Sequence, residues 1–149
     1  MDFTLSREMD DYREAVRKFV DTHIIPLEAD RSNYDHHENI APKILKETQD
    51  KVKAAGLWAP QMPRDRGGLG FNQIGMAASY EEMNRSIFGP VCFNCSAPDD
   101  GNMFVLNRVA TNEQKDKWLQ PIINGDVRSS FVMTEPHPGS GSDPSMMLT

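Results

Sequence analysis

Only one segment, Val127 to Thr134, follows the two-residue period of a β-strand, with Phe131 and Met133 on one face and Val132 on the other. A lone strand is a severe constraint, because its N–H and C=O groups need neighbours. The residues after it, rich in Gly, Ser and Pro, can scarcely provide them. The sequence therefore predicts a mostly α chain that ends in the opening strand of a truncated β-domain, with a helical domain over 1–126 and the start of the β-domain over 127–149.

The other apolar patterns step by three and four residues and predict helices. The first runs from Ser6, a candidate N-cap, to about Ala29 through Met9, Tyr12, Val16, Phe19, Val20 and Ile24, with Pro26 expected to kink or end it. Arg31 to Asn39 reads as loop, and a second helix spans Pro42 to about Ala55 before Gly56. A turn-rich stretch from Pro60 to Gly70 precedes a third helix from Asn72 to about Ile87, which Gly89 and Pro90 should close. A fourth covers Asn102 to Ala110, carrying Met103, Leu106 and Val109, with Asp99 and Asp100 as its expected caps. Thr111 and Gln114 have capping-box spacing and open a fifth, with Trp118, Leu119, Ile122 and Ile123 ahead of Gly125 and Pro121 near its end.

Charge narrows the partners. Sixteen Lys and Arg against 22 Asp and Glu leave a net charge of −6, and no basic run exceeds a pair, so a nucleic-acid footprint is lacking. The acidic start MDFTLSREMDD has no basic n-region, and charges interrupt every apolar run; the expectation is a cytoplasmic chain with no membrane anchor.

Several groups invite chemistry and have plainer readings. Cys92 and Cys95 form a CxxC with no second pair, and His23, His36, His37 and His137 show no metal spacing with it; two small buried thiols is the preferred reading, and no metal is expected. Gly68-Leu69-Gly70 with Gly75 lacks the preceding strand of a dinucleotide fingerprint. Met76, Tyr80 and Met83 at helical spacing read as core ahead of an acyl pocket.

The C-terminal third carries a resemblance. Glu113 to Trp118 with Leu119, Pro121, Gly125 and Asp126, then Met133-Thr134-Glu135-Pro136 and Gly141-Ser142-Asp143, resemble the EEQKxxWLxPLxxGE stretch and MTEPGAGSD flavin loop of the acyl-CoA dehydrogenases. Pro63 to Gly70 resembles that family's PEEYGGLG connection. Asn94 to Asp99, Gly101-Asn102-Met103 and Arg128-Ser129 resemble the branch whose eukaryotic members carry a kinase-like domain and accept longer or 4-hydroxylated acyl chains.

The resemblance implies an N-terminal helical half-bundle of a flavoprotein that uses FAD to convert an acyl-CoA to a trans-2-enoyl-CoA. It implies that Phe131, Val132, Met133 and Thr134 face the flavin ring, and that Gly141 and Ser142 serve the cofactor from the loop. Ser142 would also reach the substrate thioester, with Ser140 as its alternative because His137 to Ser140 add two residues to the usual loop. Glu135 and Asp143 take structural parts by family position, and His137 reads as a solvent-facing loop residue. The family's proton-abstracting carboxylate lies in a C-terminal domain, so no catalytic residue is assigned to this chain, which is expected to be an inactive fragment alone. Electron-transfer flavoprotein or a similar acceptor and homo-oligomerisation of the full-length form are implied as partners. The alternative is a non-catalytic helical interaction module derived from the same scaffold.

Overall fold

A computed structural model describes residues 4–132, 134–136 and 145. Among these residues the chain is helical, and the only β-pairing is an isolated antiparallel bridge between Tyr34 and Ile40. The mostly α expectation holds. The strand expected over Val127 to Thr134 does not form in the described part of that segment, because alternation selects faces but a ladder also needs a second strand to receive its hydrogen bonds.

Helix α1 (Arg7–Phe19) begins where Ser6 Oγ accepts from Met9 N at 3.3 Å, and continues through a π-turn (Val20–Ile24) into α2 (Ile25–Glu28). Pro26 was expected to kink or end this helix, yet the helix passes through it. Proline has no N–H, and its ring presses on the carbonyl one turn back. Here the preceding peptide, Ile25 N–H, donates five residues back to Val20 O, which widens the turn enough to admit the ring. Pro121 is admitted the same way. Helix α7 (Asn112–Gln114), a π-turn (Lys115–Leu119) and α8 (Gln120–Asn124) run on, with Gln120 N–H donating to Lys115 O. The capping box of Thr111 and Gln114 is formed in both directions.

Helix α3 (Pro42–Ala54) stops at Gly56, whose φ is 71°. Helix α4 (Gln73–Met83) starts on Asn72, whose Oδ1 accepts from Ile74 N and Gly75 N. It ends earlier than the sequence suggests, because Glu28 takes residues 86–87 out of the helix: its Oε1 accepts from Ser86 Oγ at 2.5 Å and from Ile87 N at 3.2 Å. Pro90 does not close that region but lies in the first turn of a short helix, α5 (Gly89–Cys92). Helix α6 (Asp99–Val109) begins three residues before its expected start.

The core gathers Val16, Val20 and Ile24 with Val52, Met62, Met83, Phe93, Met103, Leu119 and Ile123, all at most 1% exposed. Burying each such side chain contributes roughly 1.5–3 kcal/mol before entropy is subtracted. Helix α1 lies on α4, α3 on α5, and α6 on the π-turn and α8. Val109, placed by the sequence on one helical face with Met103 and Leu106, stays exposed, because α6 buries Met103 and packs Leu106 while Val109 lies in its last turn.

A charged group also sits inside. Glu82 on α4 is 1% exposed, and its carboxylate accepts from Arg17 Nε at 2.9 Å and Nη2 at 2.8 Å, with Arg13 and Arg85 each at 3.8 Å. A buried carboxylate is tolerable only with such pairing. This pair ties α1 to α4.

The end of α8 is fastened from afar. Ile122 O accepts from Gly125 N at 3.0 Å, and the carbonyls after it need partners from outside the helix. Trp58 Nε1 donates to Ile123 O at 2.7 Å, Lys53 Nζ to Asn124 O at 2.6 Å, and Asn94 Nδ2 to Ile122 O at 3.0 Å and Ile123 O at 3.2 Å. Asn94 holds φ 61°, a conformation that costs an ordinary side chain about 1 kcal/mol. Asn94→Ala is therefore expected to lower stability by about 3 kcal/mol, from two lost hydrogen bonds and backbone strain, while Asn94→Gly loses only about 2 kcal/mol. Urea midpoints at unchanged slope measure both; equal losses would show that the left-handed backbone contributes nothing.

Candidate functional site

The chain leaves α8 through Gly125 in a left-handed turn at φ 72°, with its Cα against the Trp58 ring; an added Cβ would lie 2.9 Å from that ring. The next residues are caught by the first turn of α6. The Asp99 carboxylate, buried to 3%, accepts from Ser129 N at 2.6 Å and Ser129 Oγ at 2.8 Å through one oxygen, and from Arg128 Nε through the other. Asn102 Nδ2, one turn on, donates to Ser129 Oγ at 2.9 Å and Ser130 O at 3.2 Å. The two acids therefore do not cap α6 as the sequence suggested. Asp99 bonds the exit segment, and Asp100 Oδ2 accepts from Tyr80 OH at 2.7 Å; both stay in the first turn, where the helix dipole favours them.

Beyond this clamp the chain is open. Phe131 and Val132 are 68% and 81% exposed, Thr134 is exposed, and the N–H groups of Ser130, Phe131, Val132 and Thr134 find no hydrogen-bond partner among the described residues. The structure thus brings Phe131, Val132 and Thr134 together on one exposed stretch. Met133, Ser140, Gly141 and Ser142, like His137 and Asp143, lie outside the described residues. Unspent donors beside exposed apolar side chains suit the edge of a heteroaromatic ring that carries carbonyl and ring-nitrogen acceptors, as an isoalloxazine does.

A cavity of about 840 Å³ opens beside the clamp, between the Tyr34–Ile40 loop, the start of α3 and residues 84–97. Asp99 and Arg128 stand on its wall with apolar Leu45, Phe88 and Val91 and polar Asn94. That size and mixture are usual for a small-molecule site. Met76 and Met83, at 2% and 0% exposure, belong to the core and do not line it.

The remaining motifs carry structure. Gly68 N and Gly70 N donate to Pro63 O and Met62 O, at 3.0 and 2.8 Å, so that loop has spent the amides a phosphate would need. A Cβ on Gly68 would lie 2.1 Å from Met62 O, so close backbone packing is what requires this glycine. Among the described residues no group of three or more His, Cys, Asp or Glu side chains is placed to hold a metal ion, and no helix is long and apolar enough to cross a membrane. Asp99 in its actual use was missed. The signal was present as complementary pairs, Asp99 with Arg128 and Asn102 with Ser129, but their pairing is only visible in three dimensions.

Residues 6–126 match the family model described as acyl-CoA dehydrogenase, N-terminal domain. The chain is 34% identical over 150 residues to acyl-CoA dehydrogenase family member 11 of Rattus norvegicus, covering 97% of this chain and 19% of that protein. It is 35% identical over 141 residues to FadE2 of Mycobacterium tuberculosis, assigned as an acyl-CoA dehydrogenase, covering 91% and 34%. A solved structure of a Mycobacterium abscessus protein assigned to the same activity superposes with a TM-score of 0.77 at 37% identity, covering 90% of this chain and 36% of that one. The chain belongs to the acyl-CoA dehydrogenase family and corresponds to its N-terminal helical domain. It spans about a fifth to a third of the length of these relatives.

Cys92 and Cys95 are free and buried in the core. Burial pushes the Cys92 thiol up to about 12 and raises Cys95 well above its ordinary value, with the Asp100 charge adding to the second. Both thiols are therefore expected to resist a disulfide-exchange reagent at mildly alkaline pH in the native protein and to react fully in denaturant. Rapid native labelling of either would contradict that placement.

Proposed function

We propose that this chain contributes the helical wall and one ring-facing edge of an FAD-dependent acyl-CoA dehydrogenase, which oxidises an acyl-CoA to a trans-2-enoyl-CoA. The observation that carries the reading is the exposed, donor-bearing stretch of Ser130, Phe131, Val132 and Thr134, fixed at its root by Asp99, in a chain of this family. FAD, when bound, supplies the capacity to accept two electrons from the Cα–Cβ bond. The protein's share is placement. Backbone N–H groups of Phe131 and Val132, with Met133, present donors to the ring edge, and the Thr134 hydroxyl orients beside them. Gly141 and Ser142, with Ser140 as the alternative to Ser142, extend the site toward cofactor phosphate and the thioester. The cavity beside Arg128 offers the adjacent space for substrate.

Asp99 is no candidate for proton abstraction: two donors from Ser129 and one from Arg128 already use its oxygens. We assign no catalytic base to this chain, and on this reading it is inactive alone. Electron-transfer flavoprotein or a similar acceptor, a homo-oligomeric full-length form and a cytoplasmic location complete the proposal.

The test is to purify the native product that carries this chain and, separately, the 149-residue chain. The reading expects flavin absorbance at one equivalent per subunit in the first, bleached by an acyl-CoA with release of the enoyl product, and no retained flavin in the second. A native product that stays colourless after incubation with FAD would overturn it in favour of a non-catalytic interaction module.

A further inference from the structure

We propose that Asp99 is a positioning residue: its buried carboxylate ties the first turn of α6 to the root of the ring-facing segment and thereby sets where that segment meets the cofactor. The inference deepens the flavin reading and rests on it. No bond in this clamp touches the ring. Ser129 gives Asp99 both its N–H and its hydroxyl, Arg128 closes the other carboxylate oxygen, and Asn102 holds Ser130 O from the same helix face. Just beyond, at Phe131 and Val132, the N–H groups find no partner among the described residues and the side chains are exposed. The last fixed point before the ring-facing residues is therefore a side chain from α6, some thirty positions earlier in sequence.

Rigidity at that point comes from a single carboxylate oxygen of Asp99, which accepts from both the N–H and the hydroxyl of Ser129. Fixing a residue's backbone costs about 1–2 kcal/mol. Asp99 meets that cost at Ser129 before any ligand arrives, which leaves less ordering to be done on binding. Asp99 also lines the cavity of about 840 Å³. Displacing the segment would therefore change the relation of the ring-facing edge to the substrate space as well as to the ring.

The test uses the native product that carries this chain, with FAD as the probe, and reads the FAD dissociation constant, the visible band of bound flavin and the melting temperature. Asp99→Ala is expected to weaken FAD by about tenfold and to shift the band, because Ser129 N–H loses its buried acceptor. Asp99→Asn is expected to recover most of the affinity, since its Oδ1 still accepts from Ser129 N–H. Asn102→Ala cuts only the outer bonds and is expected to weaken FAD by about threefold, which keeps the proposal testable if Asp99→Ala does not fold. Glu82→Gln, a buried carboxylate removed from a remote part of the core, should lower the melting temperature with the flavin constant and band unchanged. The proposal is overturned if the Asp99 and Asn102 variants keep wild-type affinity and band, or if Glu82→Gln weakens FAD as much at an equal loss of melting temperature. In both cases flavin in the wild type leaves the functional reading standing. A wild-type product that takes up no FAD overturns that reading and this proposal together.

Discussion

The capture of the α8 carbonyls by side chains from elsewhere is the constraint on which the arrangement depends. A helix ends with carbonyls that its own backbone cannot satisfy, and burying them unpaired is costly. Here the partners come from Lys53 in the last turn of α3, from Trp58 just beyond that helix, and from Asn94, after α5. Two parts of the chain distant from α8 in sequence, residues 53–58 and Asn94, therefore converge on its terminus, and α8 can end in only one place. Because Gly125 lies against the Trp58 ring, the direction in which the chain leaves is set as well. Asp99 then receives that chain at Ser129. Core packing, helix capping and the aim of the exposed segment are thus consecutive results of satisfying the same few polar groups.

The two prolines show how the long helices stay intact while serving this geometry. Both π-turns place their widened hydrogen bond on the peptide before the proline, so the i→i−4 ladder opens where the ring needs room and closes again afterwards. Without this, α1 could not continue to Glu28, whose carboxylate ends α4 through Ser86 and Ile87. The helix with Pro121 would likewise not carry Ile122 and Ile123 to Trp58 and Asn94.

Features governed by neighbouring residues were legible in the sequence. Ser6 and the Thr111–Gln114 box are caps because an acceptor must stand within a turn of the N–H groups it serves, and Gly56 and Gly125 end helices because their backbone angles favour glycine. The exposed stretch at Phe131 and Val132 was visible as an apolar run before a Gly/Ser loop. What the sequence concealed depends on contacts far apart in the chain. Glu82 looks like a solvated helix acid until Arg17 is brought across from α1. Asp99 looks like a cap until Ser129 arrives. Pro26 and Pro90 follow local rules that are met differently once a π-turn or a new helix start is available. The alternation from Val127 onward marks the two faces of a strand, but among the described residues no second strand completes a ladder.

Amide hydrogen exchange across residues 127–134 of the native product that carries this chain, with and without FAD, tests the central claim most directly. The account predicts that the Ser129 amide is protected without cofactor, that the Phe131 and Val132 amides exchange freely, and that FAD slows those two while leaving Ser129 unchanged. Protection of Phe131 and Val132 in the absence of FAD would mean that their donors are already satisfied within the protein, and the claim that this segment is held open for a ring would be wrong.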